Sequence, residues 1–119
     1  MNKQTKPNDG TGGLIPDNED LLYYMSGVTE IQSSCSSLSL GSECSVIVRQ
    51  YTYLDDQKYE MLRKWKQLKS RTWKEFVCSF ALLKKCVVAA ELASEHSVTF
   101  NPSDRDDKRV LTKCKDINI

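Results

Sequence analysis

Trp73, Phe76, Val77, Phe80 and Leu83 fall at offsets 0, 3, 4, 7 and 10 along the chain. That spacing lines up large apolar side chains along one side of a helix. A stripe this apolar must be covered by another element, so the chain has to fold as packed layers around it. The start of the helix is also marked. Thr72-Trp73-Lys74-Glu75 is a Ser/Thr-x-x-Glu capping box, in which the hydroxyl accepts an orphan backbone N–H and the carboxylate reaches back to the cap residue. The spacing predicts a helix over 73–84.

Two neighbours share this character. Residues 56–69 are rich in good helix formers, with Met61, Leu62, Trp65 and Leu68 on one face. Asp55 and Asp56 stand where acids favour a helix start, and lysines crowd the last turn. A third helix is expected over 86–95, where Val88 and Leu92 are four apart with alanines between them. Trp65, Trp73, Phe76, Phe80, Leu62 and Leu92 form the expected core, since their stripes make burial a better use of both tryptophans than an interface.

The first half is less regular. Residues 18–27 predict a helix with Asp17 as cap and Gly27 as stop. Thr29-Glu30-Ile31-Gln32 is a second capping box, but it leads into 33–45, where seven of thirteen residues are serine. Ser42 is the expected cap of a helix over 43–50. Val46-Ile47-Val48 and Tyr51-Thr52-Tyr53 favour a strand there, yet a lone strand has no partner in a helical chain, so helix is expected. Residues 1–16 hold Pro7, Gly10, Gly12, Gly13 and Pro16 and few apolar groups; they read as a disordered leader. Residues 17–96 read as the folded bundle and 97–119 as a polar C-terminal tail.

Composition narrows the function. A chain of 119 residues with 17 Lys+Arg, 16 Asp+Glu and a net charge of +1 is one domain and not a general polyanion binder. No apolar run reaches the roughly 20 residues of a membrane span. No apolar stretch follows the N-terminal charges as in a signal peptide. A cytoplasmic location and no membrane partner are therefore expected. The five cysteines lack any C-x-x-C pair and His96 is the only histidine, so reduced thiols are expected and no metal site is assigned. No phosphate loop, nucleophile elbow or paired metal ligands appear. No catalytic residue, cofactor or enzymatic activity is expected. Asp104-Arg105-Asp106-Asp107 reads as a solvated turn.

The even charge balance hides a split. Residues 1–56 carry three cations against eight anions, and residues 57–95 carry nine against four. The cations concentrate in Arg63, Lys64, Lys66, Lys69 and Arg71. The anions near the first helix are Asp17, Glu19 and Asp20, with Asp55 and Asp56 further on. A molecule with separate acidic and basic regions attracts copies of itself head to tail.

The stretch from Leu54 to Gln67, with its Tyr59, Met61-Leu62 and Trp65, resembles the fourth helix of death domains. Thr72-Trp73-Lys74-Glu75-Phe76 resembles the fifth, and Val88-Ala89-Ala90-Glu91-Leu92 resembles the sixth. Over the second helix the family's Trp position holds Ile31, its Leu-Gly positions hold Ser34 and Cys35, and its final triplet is Leu38-Ser39-Leu40. The resemblance implies an all-α, six-helix antiparallel Greek-key bundle. It also implies a non-enzymatic adaptor module for homotypic assembly in apoptotic or innate-immune signal transduction, with other death-domain proteins or itself as partner. The basic surface would be Arg63, Lys64, Lys66, Lys69 and Arg71. The acidic surface would be Asp17, Glu19 and Asp20, or Asp55 and Asp56. The alternative is a small helical nucleic-acid-binding domain that reads a groove with Arg63, Lys66 and Gln67 of the basic helix 56–69. It is disfavoured by the near-neutral pI of 7.6.

Overall fold

The computed structural model describes residues 10–68 and 71–118. Lys69 and the first nine residues of the expected leader lie outside them. The described residues form six α-helices and no strands: α1 (Gln32–Ser37), α2 (Gly41–Gln50), α3 (Leu54–Gln67), α4 (Trp73–Leu82), α5 (Cys86–Glu95) and α6 (Arg105–Lys113). Two 3-10 turns, Leu22–Met25 and Lys115–Asn118, precede α1 and follow α6. The chain is all-α, as its periodicity predicts, and 43–50 is helix rather than strand.

The start of α4 shows how local chemistry places the rest. A helix leaves its first N–H groups without intrahelical partners. Here the Glu75 N–H donates to Thr72 Oγ1 at 3.3 Å. The Trp73 and Lys74 N–H groups donate to the carbonyls of Gly13 (3.1 Å) and Thr11 (2.9 Å). The segment before residue 16, expected as a loose leader, thus caps α4 from residue 10 onward. The Ile15 N–H reaches the Arg71 carbonyl at 2.9 Å, and the Thr99 N–H reaches the Gly10 carbonyl at 2.9 Å. Gly12 makes the close approach possible. It sits at φ +76°, and a Cβ there would stand 2.8 Å from the His96 carbonyl oxygen and 3.0 Å from Trp73 Cβ.

The apolar stripe of α4 is buried as expected from Trp73 to Phe80, while Leu83 is half-buried just past the helix, which ends at Leu82. Phe76 and Val77 are fully enclosed, and Trp65, Trp73, Phe80, Leu62 and Leu92 are nearly so. Trp65 stacks on Phe76 with ring centroids 5.6 Å apart, and Phe80 meets Phe76 edge-on at 4.9 Å. The His96 ring lies flat on Trp73 at 3.6 Å. Both tryptophans are core residues.

Three expectations for the first half are corrected. The helix over 18–27 shrinks to the turn Leu22–Met25, because Asp20, not Asp17, accepts the Leu22 N–H, at 3.1 Å. Four successive polar residues before it supply no apolar face to bury. The second capping box does not form. Glu30 accepts from the Gln32 and Ser33 N–H groups at 2.7 and 3.4 Å, so the carboxylate displaces the Thr29 hydroxyl as the cap. The serines limit α1 to six residues. Ser42 lies inside α2 and does not cap it.

The segment expected as a polar tail is folded onto the body. Val98, Phe100, Val110, Cys114 and Ile117 are buried, and α6 packs against α4. Asp104 caps α6, accepting from the Asp106 and Asp107 N–H groups at 2.9 and 3.1 Å. Asp107 accepts from the Asn101 N–H (2.8 Å) and from Lys74 Nζ (3.0 Å). This acidic run is therefore a helix start tied to α4, not a solvated turn. The apolar positions of α6 are too few to announce burial from the sequence. The expectation of uniformly reduced thiols is also overturned: Cys86 and Cys114 form a disulfide that joins the start of α5 to the end of α6.

Candidate functional site

The charged residues singled out from the sequence converge on α3, though not as a simple basic face. Arg63 makes a two-point ion pair with Glu60, Nε to Oε1 at 2.8 Å and Nη2 to Oε2 at 2.6 Å. Lys64 lies 3.6 Å from Glu43 and 3.8 Å from Glu60. Lys66 donates to the backbone carbonyls of Asp17 (2.8 Å) and Glu19 (2.9 Å). Arg71 sits over the Trp65 ring at 5.8 Å and 4.0 Å from Glu75. Four of the five predicted basic residues thus have partners within the chain, and Lys69 lies outside the described residues.

The acidic residues divide into two groups. Asp17, Glu19 and Asp20 lie beside Arg63 and Lys66, where the Lys66 ammonium holds the segment before the first 3-10 turn against the C-terminal half of α3. Together they rim a groove of about 320 Å³ floored by Leu21, Leu22 and Leu62. Asp55 and Asp56 occupy the first turn of α3 and are exposed. They stand seven to eleven residues from Arg63 and Lys66, roughly 10–16 Å along the helix axis at 1.5 Å per residue. The structure therefore brings one acidic group to the basic residues and keeps the other apart. Acid at the N-terminus and base at the C-terminus of α3 both suit its macrodipole.

Tyr59 completes the groove, a site residue that the charge pattern of the sequence does not mark. It is 62% exposed, a large aromatic on the rim of a mixed-charge cleft. The signal was present: Tyr59 falls off the stripe of Met61, Leu62 and Trp65. Two burials on α3 were not foreseen either. Lys58 is buried with its ammonium donating to the Met25 carbonyl at 2.7 Å. The Glu60 side chain keeps only 8% of its exposure. The Arg63 hydrogen bonds hold the Glu60 carboxyl below its usual range; burial pushes the other way, and the charges of Arg63 and Lys64 reinforce the lowering.

Cys35 and Cys78 are poor nucleophiles. Burial, reinforced by Cys44, pushes Cys35 up to about 12, and burial pushes Cys78 up to about 11; both stay protonated at neutral pH. Among the described residues no three His, Cys, Asp or Glu side chains gather as a metal-holding group, and no helix is long and apolar enough to cross a membrane. Comparison with family models, curated proteins and solved structures yields no match.

Proposed function

We propose that the chain is a non-enzymatic protein-interaction module of the death-domain kind, its helices in Greek-key order, which assembles with like domains or with itself through the charged surfaces of α3. The observation that carries this reading is the groove between α3 and the 17–22 segment. Carboxylates from one wall, cations and an exposed tyrosine from the other, line it together with Leu21, Leu22 and Leu62. Such a rim suits the mixed side chains of a protein surface better than a uniform polyanion.

The spatially separate charges on α3 set the mode of assembly. Its basic C-terminal half in one copy meets Asp55 and Asp56 of the next, a head-to-tail contact that is not confined to dimers. Arg63 remains 46% exposed at its side chain and is the cation best placed to reach outward. Apoptotic or innate-immune signalling and a cytoplasmic setting belong to the same proposal. The Cys86–Cys114 bond pulls against the cytoplasm, since such bonds persist in oxidising compartments.

Reversing Arg63 and Lys64 together would strand the nearly buried Glu60 beside new acids and confuse a folding defect with a binding defect. Asp55→Asn with Asp56→Asn removes the opposite pole while leaving the core untouched. The reading predicts that this pair of substitutions lowers self-association and its salt dependence with helix content unchanged. Self-association identical to the parent chain would refute the assignment.

A further inference from the structure

α5 carries its charge against its own dipole. Lys84 and Lys85 stand just before its first residue, and Glu91 and Glu95 lie in its second half. The N-terminal end of a helix favours anions and the C-terminal end cations, so both pairs sit where the helix field disfavours them. Glu91 and Glu95 are also four residues apart, a spacing at which like charges repel. Among the described residues no ion pair uses Lys84, Lys85 or Glu91, and Glu95 has only His96, at 3.9 Å.

A second observation concerns Lys84 itself. It closes α4 in the left-handed region, at φ +59°. Its N–H donates to the Ala81 carbonyl and the Lys85 N–H donates to the Phe80 carbonyl, each at 2.9 Å. Glycine takes this position without steric cost, yet a lysine occupies it. Local preference is thus overridden at the same place where the charge opposes the dipole, the kind of conflict that marks functional positions.

The exposed side of α5 supplies the rest. In chain order, Lys84 is exposed in the turn before the helix, Val87 and Glu91 are exposed on it and Val88 is half-buried beside the core, a stripe of cation, apolar pair and anion. Val87 is 73% exposed, and Tyr23, which shares a groove with Val88, is 76% exposed. A groove of about 480 Å³ runs alongside, lined by Tyr23, Val88, Glu91 and Glu95. We propose that this stripe is a two-fold interface between two copies of the chain, with their α5 helices antiparallel and crossing between Val87 and Val88. In that register Val87 of each copy faces Val88 of the other, and Lys84 of each faces Glu91 of the other. Val87 is the knob that enters the groove beside Tyr23. A purely basic partner would satisfy only the glutamates, and a polyanion only the lysines. A stripe with cation, apolar pair and anion in that order is its own complement when turned through two-fold symmetry. This interface is separate from the α3 surfaces and stands or falls without them.

Sedimentation equilibrium of the whole chain at low salt tests it. The parent chain is expected to associate at least to a dimer, through a contact that persists when Asp55 and Asp56 are both replaced by Asn. Lys84→Glu and Glu91→Lys each place like charges opposite one another twice, and each is expected to weaken the dimer by about tenfold or more. Mixing those two variants is expected to yield a heterodimer, and the double exchange K84E/E91K to restore the homodimer to within about threefold of the parent. Lys84→Gly is expected to weaken the dimer while leaving the monomer at least as stable, which a purely structural role for Lys84 would not do. Circular dichroism checks that each variant is folded. A parent chain that stays monomeric up to about 1 mM would overturn the proposal, as would single reversals that leave the dimer unchanged or a mixture that fails to associate.

Discussion

Arg63 and Glu60 face each other through two hydrogen bonds of 2.8 and 2.6 Å, the guanidinium partly exposed and the carboxylate nearly buried. Three residues apart on α3, they neutralise part of the helix that looks most basic in the sequence. Paired geometry of this kind holds a carboxylate ionised more firmly than a single contact does.

The pair predicts an acid limb to stability. The carboxyl of Glu60 lies below its ordinary value of 4.5 in the fold. The stabilisation it lends is therefore present above about pH 4.5 and lost as the pH falls through the lower folded value. Thermal melts from about pH 6 to about pH 3 are expected to show a steeper loss for the parent chain than for Arg63→Gln. Equal slopes would show that the ion pair contributes nothing to the acid response.

The two capping boxes are expected to behave differently. Thr72 holds the start of α4 through its hydroxyl, so Thr72→Ala is expected to cost about 1 kcal/mol. Thr29 caps nothing in α1, so Thr29→Ala is expected to stay within about 0.5 kcal/mol of the parent. Urea unfolding of the two variants side by side distinguishes them, and equal losses would contradict the assignment.

Gly12 is expected to be intolerant. Gly12→Ala combines positive φ with a Cβ too close to the His96 carbonyl and Trp73, for an expected loss of about 1–3 kcal/mol. Gly13 has positive φ but open space around it and is expected to lose less. Chemical denaturation measures both. A neutral Gly12→Ala would mean that the 10–15 segment does not pack where the structure places it.

The Cys86–Cys114 bond closes a loop with a sequence separation of 28. Cys86→Ser with Cys114→Ser is expected to lower unfolding free energy by about 3.5 kcal/mol on the chain-entropy account. Hydrogen exchange is expected to quicken first in α6, whose buried anchors are few. Reductant is expected to act on the parent chain and not on the double variant. A parent chain insensitive to reductant would argue that the bond is not formed in solution.

The stretch from α3 to α5 was legible because the physics there is local and strong. The stripe from Trp73 to Phe80, the Thr72 cap and the span of α5 all follow from apolar spacing and end signals. The misjudged parts depend on contacts between distant residues. The carbonyls of Thr11 and Gly13 cap α4, a match that no window of sequence reveals. Val98, Phe100 and Val110 are isolated among polar neighbours, so their burial is decided by what they land against. The disulfide likewise depends on α6 returning to α5. At the candidate site, charge and identity were readable, but pairing was not. Lys66 points to the Asp17 and Glu19 carbonyls because the chain turns back onto α3 nearly fifty residues away in sequence.

The most direct test of the central claim is the mean mass of the chain by light scattering, across concentration and at low and high salt. Head-to-tail contacts through α3 predict that the parent chain exceeds two copies at low salt. They also predict that it shrinks near 1 M salt, where charges are screened within about 3 Å. The Asp55→Asn/Asp56→Asn chain is predicted to stop at two copies, the pair formed through α5. A parent chain that never exceeds two copies, or a variant whose mass follows the parent at every concentration, would contradict assembly through α3.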